Sequence, residues 1–434
     1  MTLQLAPWLA SSRWPTVPIR FVARLGTGHT PSRQRPEYWQ DCDVPWMTLA
    51  DVGQLRDGTT DVVHTTAEKI SDLGLANSSA VKHPAGTVML SRTASVGFSA
   101  IMGVDMATSQ DFATWTCSEK LVPRYLLHAL RAMAPEFRRI AAGSTHKTIY
   151  MPDIEQLRIP LPPLDEQRRI ADYLDSETNR LDQLSILRHK QLTALSENLL
   201  RVVSSISENA QDAPMVRLGY IARLQSGITV DSSRDLSGDV VTRPYLRVAN
   251  VQDGSVALDS VTEVTVPRRM AAASTLRPGD VLMTEGGDLD KLGRGTVWRG
   301  ELPDCLHQNH VFAVRPDPRK LDADYLALAT RSMHARIYFE STGVKTTNLA
   351  STSSSKIRDF RVPLIGLVEQ RATVRRINAN IEAIETIRRS INSQISLIGE
   401  RRQALITAAV TGQIDVSTGR GSLSGNRGSA RVGH

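Results

Sequence analysis

Short β-like runs of apolar residues occupy two separate parts of the chain, and each set is followed by a long stretch of helical period. In the first part Val44-Pro45-Trp46-Met47-Thr48-Leu49 and Gly86-Thr87-Val88-Met89-Leu90 read as strands. Tyr245 to Val251 and Gly279-Asp280-Val281-Leu282-Met283 are their counterparts in the second. Leu126, Leu130, Met133 and Phe137 then recur at helical spacing, and Leu326, Met333 and Ile337 repeat the stripe. Such a stripe is expected in a core. A glycine-led polar loop follows each helix and runs into a proline-bounded exit, Ile159-Pro160-Leu161-Pro162-Pro163 or Val362-Pro363-Leu364.

Beyond each exit the pattern changes to a helix with no proline and almost no glycine. In the second stretch Ile377, Ile381, Ile384, Ile391, Ile395, Ile398 and Leu405 follow spacings of four and three, and Arg388 and Arg402 take the remaining seam positions. In the first, Leu174, Leu181, Leu192, Leu195, Leu199 and Val202 form the seam, interrupted by Thr178, Ser185 and Arg188. Each rod, Leu164 to Val202 and Leu367 to Leu405, is about 39 residues, or roughly 58 Å. A lone rod would expose too much leucine and isoleucine, so the two are expected to pair with each other. A two-fold relation between the copies makes the pair antiparallel and returns the C-terminus to the first domain. Arg388 corresponds to Ser185 near the middle of both rods, and these polar positions are expected to fix helix register.

The two parts are copies of one another. Sliding the sequence by about 200 residues sets Ala23-Arg24-Leu25 and Gly28 on Ala222-Arg223-Leu224 and Gly227, and Tyr125-Leu126, Arg131, Met133 and Gly143 on Tyr325-Leu326, Arg331, Met333 and Gly343. Arg158, Pro160-Leu161 and Glu166-Gln167-Arg168 meet Arg361, Pro363-Leu364 and Glu369-Gln370-Arg371. The expected fold is α+β: two similar α/β domains related by a pseudo-two-fold and separated by two long helices that form an antiparallel coiled coil. The boundaries expected are 1–163 and 211–366 for the domains, 164–210 and 367–416 for the helices, and 417–434 for a disordered tail rich in Gly, Ser and Arg.

Composition narrows the class without settling it. The 434 residues suit two or three folded units, and the net charge of +7 suits a polyanion-binding surface. Cys42, Cys117 and Cys305 lie far apart with no CxxC pair, which argues against a disulfide framework or a zinc ribbon. No apolar run is long enough to span a membrane and Met1 to Trp14 lack the pattern of a signal peptide, so a cytoplasmic protein is expected.

Two basic domains held apart by a stiff spacer match the reading of two DNA half-sites. Linkage lets each weak reader inspect only a few base pairs. Base edges and phosphates are met by Arg, Lys, Asn, Gln and hydroxyls, and three polar loops recur in both copies. The first holds Trp46, Thr48 and Asp51, with Tyr245, Arg247 and Asn250. The second holds Ser91, Arg92 and Thr93, with Thr284, Glu285, Lys291 and Arg294. The third holds Ser144, Thr145, His146 and Lys147, with Lys345, Thr346, Thr347 and Asn348. Trp46 and Tyr245 fit the core better than the surface, and Arg131 and Arg331 fit structural ion pairs.

Chemistry of the chain's own is not expected. There is no phosphate-binding glycine loop, and Leu161-Pro162-Pro163-Leu164 lacks the Asp or Asn and the aromatic of an amino-methyltransferase site. His307 and His310 have no Cys or acidic companion at familiar metal spacing. Neither cofactor nor metal is called for.

The run from Ile159 through Asp165-Glu166-Gln167-Arg168-Arg169 to Ile170, and the run Glu400-Arg401-Arg402-Gln403-Ala404-Leu405 through Gly412 to Asp415, resemble stretches of the specificity subunits of Type I restriction-modification systems. Ile365-Gly366-Leu367-Val368 departs from that pattern at the second exit. The resemblance implies two target-recognition domains reading a bipartite double-stranded DNA site, two modification (methyltransferase) subunits docked around the paired helices, and restriction subunits that join for cleavage. Methyl donor, flipped adenine and ATP would belong to those partners. The competing reading is a coiled-coil scaffold whose globular ends bind proteins and no DNA.

Overall fold

A computed structural model describes residues 7–56, 58–141, 148–208, 210, 212–231, 233–287, 292–345, 350–418 and 420–421. The chain divides into two compact units, Met1–Arg188 together with Ser393–His434, and His189–Asn392.

The first unit contains strands β1 (Thr16–Pro18), β2 (Ala23–Thr27), β3 (Val44–Met47), β4 (Val62–Val63), β5 (Glu68–Ile70), β6 (Val88–Ser91), β7 (Ser99–Met102), β8 (Ala107–Thr108), β9 (Phe112–Cys117) and β10 (Arg158–Pro160). Its helices are α1 (Asp72–Ala76), α2 (Pro123–Ala132), α3 (Ala134–Ala141), α4 (Met151–Glu155) and the first part of α5 (Leu164–Glu208). The main sheet runs β2-β9-β6-β7-β4, a second runs β5-β3-β8, and β1 pairs with β10. Strands β6 and β7 are buried on both faces, which is why their sequences read as continuous apolar runs instead of alternating. Val88, Leu90, Ile101 and Trp115 on the sheet pack against Tyr125, Leu126 and Leu130 of α2.

The second unit repeats this plan with β11 (Met215–Arg217), β12 (Ala222–Ser226), β13 (Val240–Leu246), β14 (Thr262–Pro267), β15 (Val281–Thr284), β16 (Gly286–Gly287), β17 (Gly295–Val297), β18 (Leu306–His307), β19 (Val311–Pro316), β20 (Val344–Lys345), β21 (Ala350–Ser351) and β22 (Arg361–Pro363). Its helices are α6 (Arg268–Ser274), α7 (Ala323–Thr330), α8 (Met333–Thr342), α9 (Ser354–Asp359) and the first part of α10 (Leu367–Val410). The order β12-β19-β15-β17 matches β2-β9-β6-β7, β14-β13-β18 matches β5-β3-β8, and β11-β22 matches β1-β10.

The likeness extends to single hydrogen bonds. Tyr125 Oη donates to Pro160 O at 2.9 Å and Tyr325 Oη to Pro363 O at 3.0 Å, tying each core helix to its exit strand. Arg131 pairs with Asp61 and Arg331 with Asp253, each at 2.5 Å, in the structural role expected of them. A Cβ on Gly28 would lie 1.8 Å from Thr108 O and one on Gly227 2.2 Å from His307 O, so both copies need glycine where the chain crosses a strand. Each exit is locked by the glutamine of its Glu-Gln-Arg run. Gln167 Oε1 accepts from Val122 N at 2.9 Å while Nε2 donates to Lys120 O at 3.0 Å and Pro162 O at 2.9 Å. Gln370 does the same with Asp322 N at 2.8 Å, Lys320 O at 2.9 Å and Ile365 O at 2.8 Å. Both glutamines are buried.

At one sheet position the copies reach the same end by different chemistry. Thr87, just before β6, and Thr116 on β9 share a hydroxyl hydrogen bond of 3.1 Å where, in the second unit, Asp280 and Arg315 form a bidentate pair of 2.7 Å bonds.

The single helical stripe expected from Leu326 to Ile337 is interrupted. Helix α7 ends at Thr330, and Ser332 caps α8 by accepting from Ala335 N. The frame is reset there, so Ala335 and Phe339 are buried while Ile337 is 60% exposed. In the first unit α2 likewise ends at Ala132, but Met133 and Phe137 stay in the core.

Helices α5 and α10 are 45 and 44 residues long, longer than the rods of about 39 residues marked by the seams and inside the bounds 164–210 and 367–416, and they pack together. Within the first unit Ile170 and Leu174 meet Ile406, Ala409 and Val410; within the second Ile206 and Val202 meet Val374, Ile377 and Ile381. In each unit the pairing is antiparallel. Along the seams Leu174, Ile377, Ile384 and Ile391 are buried, and Leu181, Leu192, Leu195, Leu199, Ile381, Ile395, Ile398 and Leu405 are partly buried. Arg388 bonds Glu385 of its own helix at 2.7 Å. A cross-helix polar contact is made by Arg402, which reaches Asp182 at 3.1 Å and also donates to Gly58 O at 2.7 Å. Burial pushes the Asp182 carboxyl above its ordinary range even beside this guanidinium.

The end of α10 is part of the first unit's core. Arg13 N donates to Thr411 O at 2.9 Å, and Ile414 and Val416 pack on the same cluster as Trp115 and Tyr125. Of the expected tail, Arg420–Gly421 pairs with Ile414–Asp415. Residues 419 and 422–434 lie outside the described residues.

Candidate nucleic-acid interface

In each unit the central strands present one end toward the domain exit and the other toward the polar loops. The loop end is built where β6 meets β9, or β15 meets β19. Arg92 follows β6 and Asp111 precedes β9; Arg92 N donates to Asp111 O at 2.8 Å, and Ile149 N donates to Arg92 O at 2.8 Å. The Arg92 guanidinium lies across the chain, with Nε to Gln110 O at 3.0 Å and Nη1 to Ile149 O at 3.4 Å. In the second unit Glu285 N donates to His310 O at 2.8 Å and Thr352 N to Glu285 O at 2.7 Å. The backbone node is thus the same, while Arg92 gives way to the acidic Glu285 and Asp111 to His310. Glu285 Oε2 lies 2.5 Å from His310 Nδ1, and both side chains are partly open to solvent.

The surroundings of the node also differ. Thr93 makes a single bridge to Thr148 in the first unit, whereas the second builds a small sheet β16-β21-β20 in which Gly286 opposes Ser351 and Lys345 opposes Ala350. Arg92 and Thr93 therefore stand at the node. So does the backbone of Lys345, whose side chain, like Ser144, Thr145, His146, Lys147, Lys291, Thr346, Thr347 and Asn348, lies outside what is described.

Other expected readers are placed elsewhere. Ser91 is buried and its hydroxyl is held by Ser95 O while accepting from Phe98 N, so it shapes the turn. Asn250 is also buried. It accepts from Arg247 N at 2.8 Å and donates to Ala257 O at 2.9 Å, capping the short turn Val248–Asn250. Asp51 repeats this role, accepting from Thr48 N at 2.9 Å and Ala67 N at 2.6 Å. The spacing Thr48-x-x-Asp51 carries the signature of such a cap, and that signal was available in the sequence. Arg247 is exposed with one bond to Ser260 O at 3.3 Å. Arg294 faces the other way, toward Asp253 at 3.6 Å beside Arg331, in a cleft that also holds Ser196 and Leu199 of α5.

Trp46 and Tyr245 are buried, and Tyr245 Oη donates to Ile228 O at 2.6 Å. His307 is enclosed with Nδ1 2.6 Å from Val311 O, and burial lowers its imidazole below the ordinary value. Its neighbour His310 is the one at the node. Among the described residues no group of three or more His, Cys, Asp or Glu could hold a metal ion, and no helix is long and apolar enough to cross a membrane. Sequence reasoning missed Asp111 and His310 as node residues, because each enters from the start of a strand far from the loop it completes.

A duplicated mixed domain on paired long helices, alike at its exits and unlike at its loops, defines a protein with two related but non-identical recognition surfaces. A family model described as the Type I restriction modification DNA specificity domain matches residues 11–193. The specificity subunit of the StySPI Type I restriction enzyme from Salmonella potsdam is 22% identical over 428 residues, spanning 92% of this chain and 89% of that protein. The EcoKI specificity subunit of Escherichia coli K12 is 23% identical, with the same coverage of each. Among solved structures, a chain from a study of complex assembly and conformational transition of the type I R-M system matches with TM-score 0.68 at 19% identity, covering 92% of this chain and 98% of the other. The HsdS subunit of Thermoanaerobacter tengcongensis matches with TM-score 0.51 at 18% identity, covering 92% and 97%. Along nearly all of its length the chain is similar to specificity subunits of Type I restriction-modification systems.

Proposed function

We propose that this chain reads a bipartite double-stranded DNA target, one half with each unit, as the recognition subunit of a complex whose modification subunits methylate adenine and whose restriction subunits cut. The observation that carries this reading is the exchange at the loop end: one backbone node holds Arg92 and Asp111 in the first unit and Glu285 and His310 in the second. Arginine suits the acceptors of guanine, and a carboxylate suits the amino group of cytosine. Two readers with one scaffold and opposite charge at the same point would prefer different half-sites. Arg92, Thr93 and the loops around residues 142–147 and 346–349 are the contacts proposed, with Ser144, Thr145, His146, Lys147, Lys345, Thr346, Thr347 and Asn348 supplying donors.

The chain itself would bind and orient, leaving bond making to its partners. The test is to map methylated adenines in the host genome with the gene intact, deleted, and carrying Glu285→Arg. Intact gene and deletion should differ at every copy of one split sequence, and Glu285→Arg should alter tolerance in one half only. Identical maps for intact and deleted strains would refute the reading.

A further inference from the structure

The turn that closes each loop end carries a residue that the node itself does not use. These turns, Ser109-Gln110-Asp111-Phe112 and Gln308-Asn309-His310-Val311, are pinned alike. Ser109 N donates to Met47 O and Gln308 N to Leu246 O, both at 2.8 Å. Phe112 N donates back to Ser109 O at 3.3 Å, and Val311 N to Gln308 O at 2.8 Å. The second residue of each turn is therefore delivered to the same place. In both copies it is a carboxamide, Gln110 exposed and Asn309 half-buried.

The neighbours of the two amides hold opposite ends of them. Gln110 Oε1 accepts from Thr30 Oγ1 at 2.8 Å, and the Gln110 backbone oxygen accepts from Arg92 Nε at 3.0 Å. Gln110 Nε2 has no partner among the described residues, so the oxygen is turned in and the N–H group is offered. In the second unit the order is reversed. A carboxylate can only accept, so the 2.5 Å contact between Glu285 and His310 places the ring proton on Nδ1. Nε2 of the neutral ring is then an acceptor, and Asn309 Nδ2 lies 3.4 Å from it. Asn309 Oδ1 is left outward with no partner among the described residues. The remaining amide and carboxylate of the turns are spent inside the protein: Asp111 accepts from Ser109 Oγ at 3.0 Å, and Gln308 Oε1 accepts from Val248 N at 3.4 Å.

An exposed amide is ordinarily left to water. These two stand at one backbone position of a duplicated domain, each with one end held by the protein, and the end offered is opposite in the two copies. In the major groove guanine and thymine present hydrogen-bond acceptors only, cytosine only its amino donor, and adenine one of each. An N–H group held outward therefore suits guanine or thymine and meets a like donor at cytosine. A carbonyl held outward suits cytosine or adenine and meets like acceptors at guanine and thymine. We propose that Gln110 and Asn309 are specificity-determining residues of opposite sense, Gln110 reading one base of its half-site through an acceptor and Asn309 one base of the other through an amino group. Thr30 and His310 are the positioning residues that set the direction of each amide. This rests on the reading above that each unit reads one half of a split target.

The test uses the full chain with its modification subunits, by mapping methylated adenines and by competition between duplexes that differ at single positions of one half. Gln110→Ala should relax one position of one half, cutting discrimination against cytosine there roughly tenfold. Asn309→Ala should relax one position of the other half, against guanine and thymine. Gln110→Glu reverses the sense and should favour cytosine or adenine at the first position, whereas Asn309→Asp keeps an outward acceptor and should keep the parental choice. Thr30→Val frees the Gln110 amide to turn and should relax the same position as Gln110→Ala. A melting curve matching the parent's separates altered choice from altered folding. Unchanged single-base choice in both alanine variants would overturn the proposal and leave the recognition function standing. A uniform loss of affinity over all duplexes with a smaller salt slope would overturn it in favour of phosphate contact. Identical methylation maps with the parental gene present and deleted would overturn both.

Discussion

Replacing Gln167 by Leu removes the lock at the first domain exit and nothing on the surface. The side chain is buried and makes three hydrogen bonds with backbone groups, accepting from Val122 N and donating to Lys120 O and Pro162 O. Leucine fills a similar volume, so the cost arises from the backbone groups left without a partner. At about 1–3 kcal/mol for each buried group so orphaned, with the carbonyls at the low end because they keep a second lone pair, the loss comes to about 3–5 kcal/mol. For a unit of some 200 residues this lowers the melting temperature by roughly 10 °C. Gln370→Leu should do the same in the second unit, with Asp322 N, Lys320 O and Ile365 O orphaned in turn. Calorimetry of the full chain should show each variant melting below the parent. Gln167→Glu preserves the acceptor for Val122 but sets a carboxylate against two carbonyls, and at neutral pH it should destabilise at least as much as leucine. A Gln167→Leu protein melting within about 2 °C of the parent would show that the exit is held by packing alone and refute the argument.

Three further outcomes follow from the same structure. Asp280→Thr alone strands Arg315 in a site where its partner is buried and should cost about 3–5 kcal/mol, whereas Asp280→Thr with Arg315→Thr recreates the Thr87–Thr116 bond of the first unit and should recover most of that loss in chemical denaturation. His128 is fully enclosed with Nε2 2.6 Å from Asp175, and burial holds its imidazole below the ordinary value; the unfolded chain takes up the proton first, so stability of the first unit is full above about pH 6.5 and falls as pH drops below it. His128→Leu, the residue the second unit carries at Leu328, should flatten that slope between pH 7 and 5.5, with His83 keeping the share that its own burial gives it. At the loop end, Lys147→Ala or Lys345→Ala should weaken duplex binding and reduce the salt slope by about one, and an unchanged slope by fluorescence anisotropy would take that loop out of the interface.

The parts of this fold that were legible in the sequence are those set by repeated local chemistry. The seam from Ile377 to Leu405 is legible because a 3.5-residue period has one physical solution, and the exits because proline and a Glu-Gln-Arg run recur at both. Where tertiary structure overrides the local pattern, the reading slips. Ile337 continues the stripe of α7 on paper, but Ser332 starts a new helix and turns that position outward. Asn250 and Asp51 have the composition of DNA readers and are spent on caps, since a short polar side chain one turn from a free backbone N–H finds it before it finds solvent. The node residues were hidden for the opposite reason: Arg92 and Asp111, or Glu285 and His310, meet only through strand pairing.

The first unit is assembled from both ends of the chain, since Ile406, Ala409, Val410 and Ile414 complete the core begun by Trp115 and Tyr125. The second unit, His189–Asn392, is one uninterrupted length. During synthesis the half encoded last is therefore finished before the half encoded first, which must wait with an open core until the final turns leave the ribosome. A stop codon just after Asn392 would leave the core of the first unit open while sparing the second, and a genetic exchange bounded within α5 and α10 could trade the second unit as a single cassette.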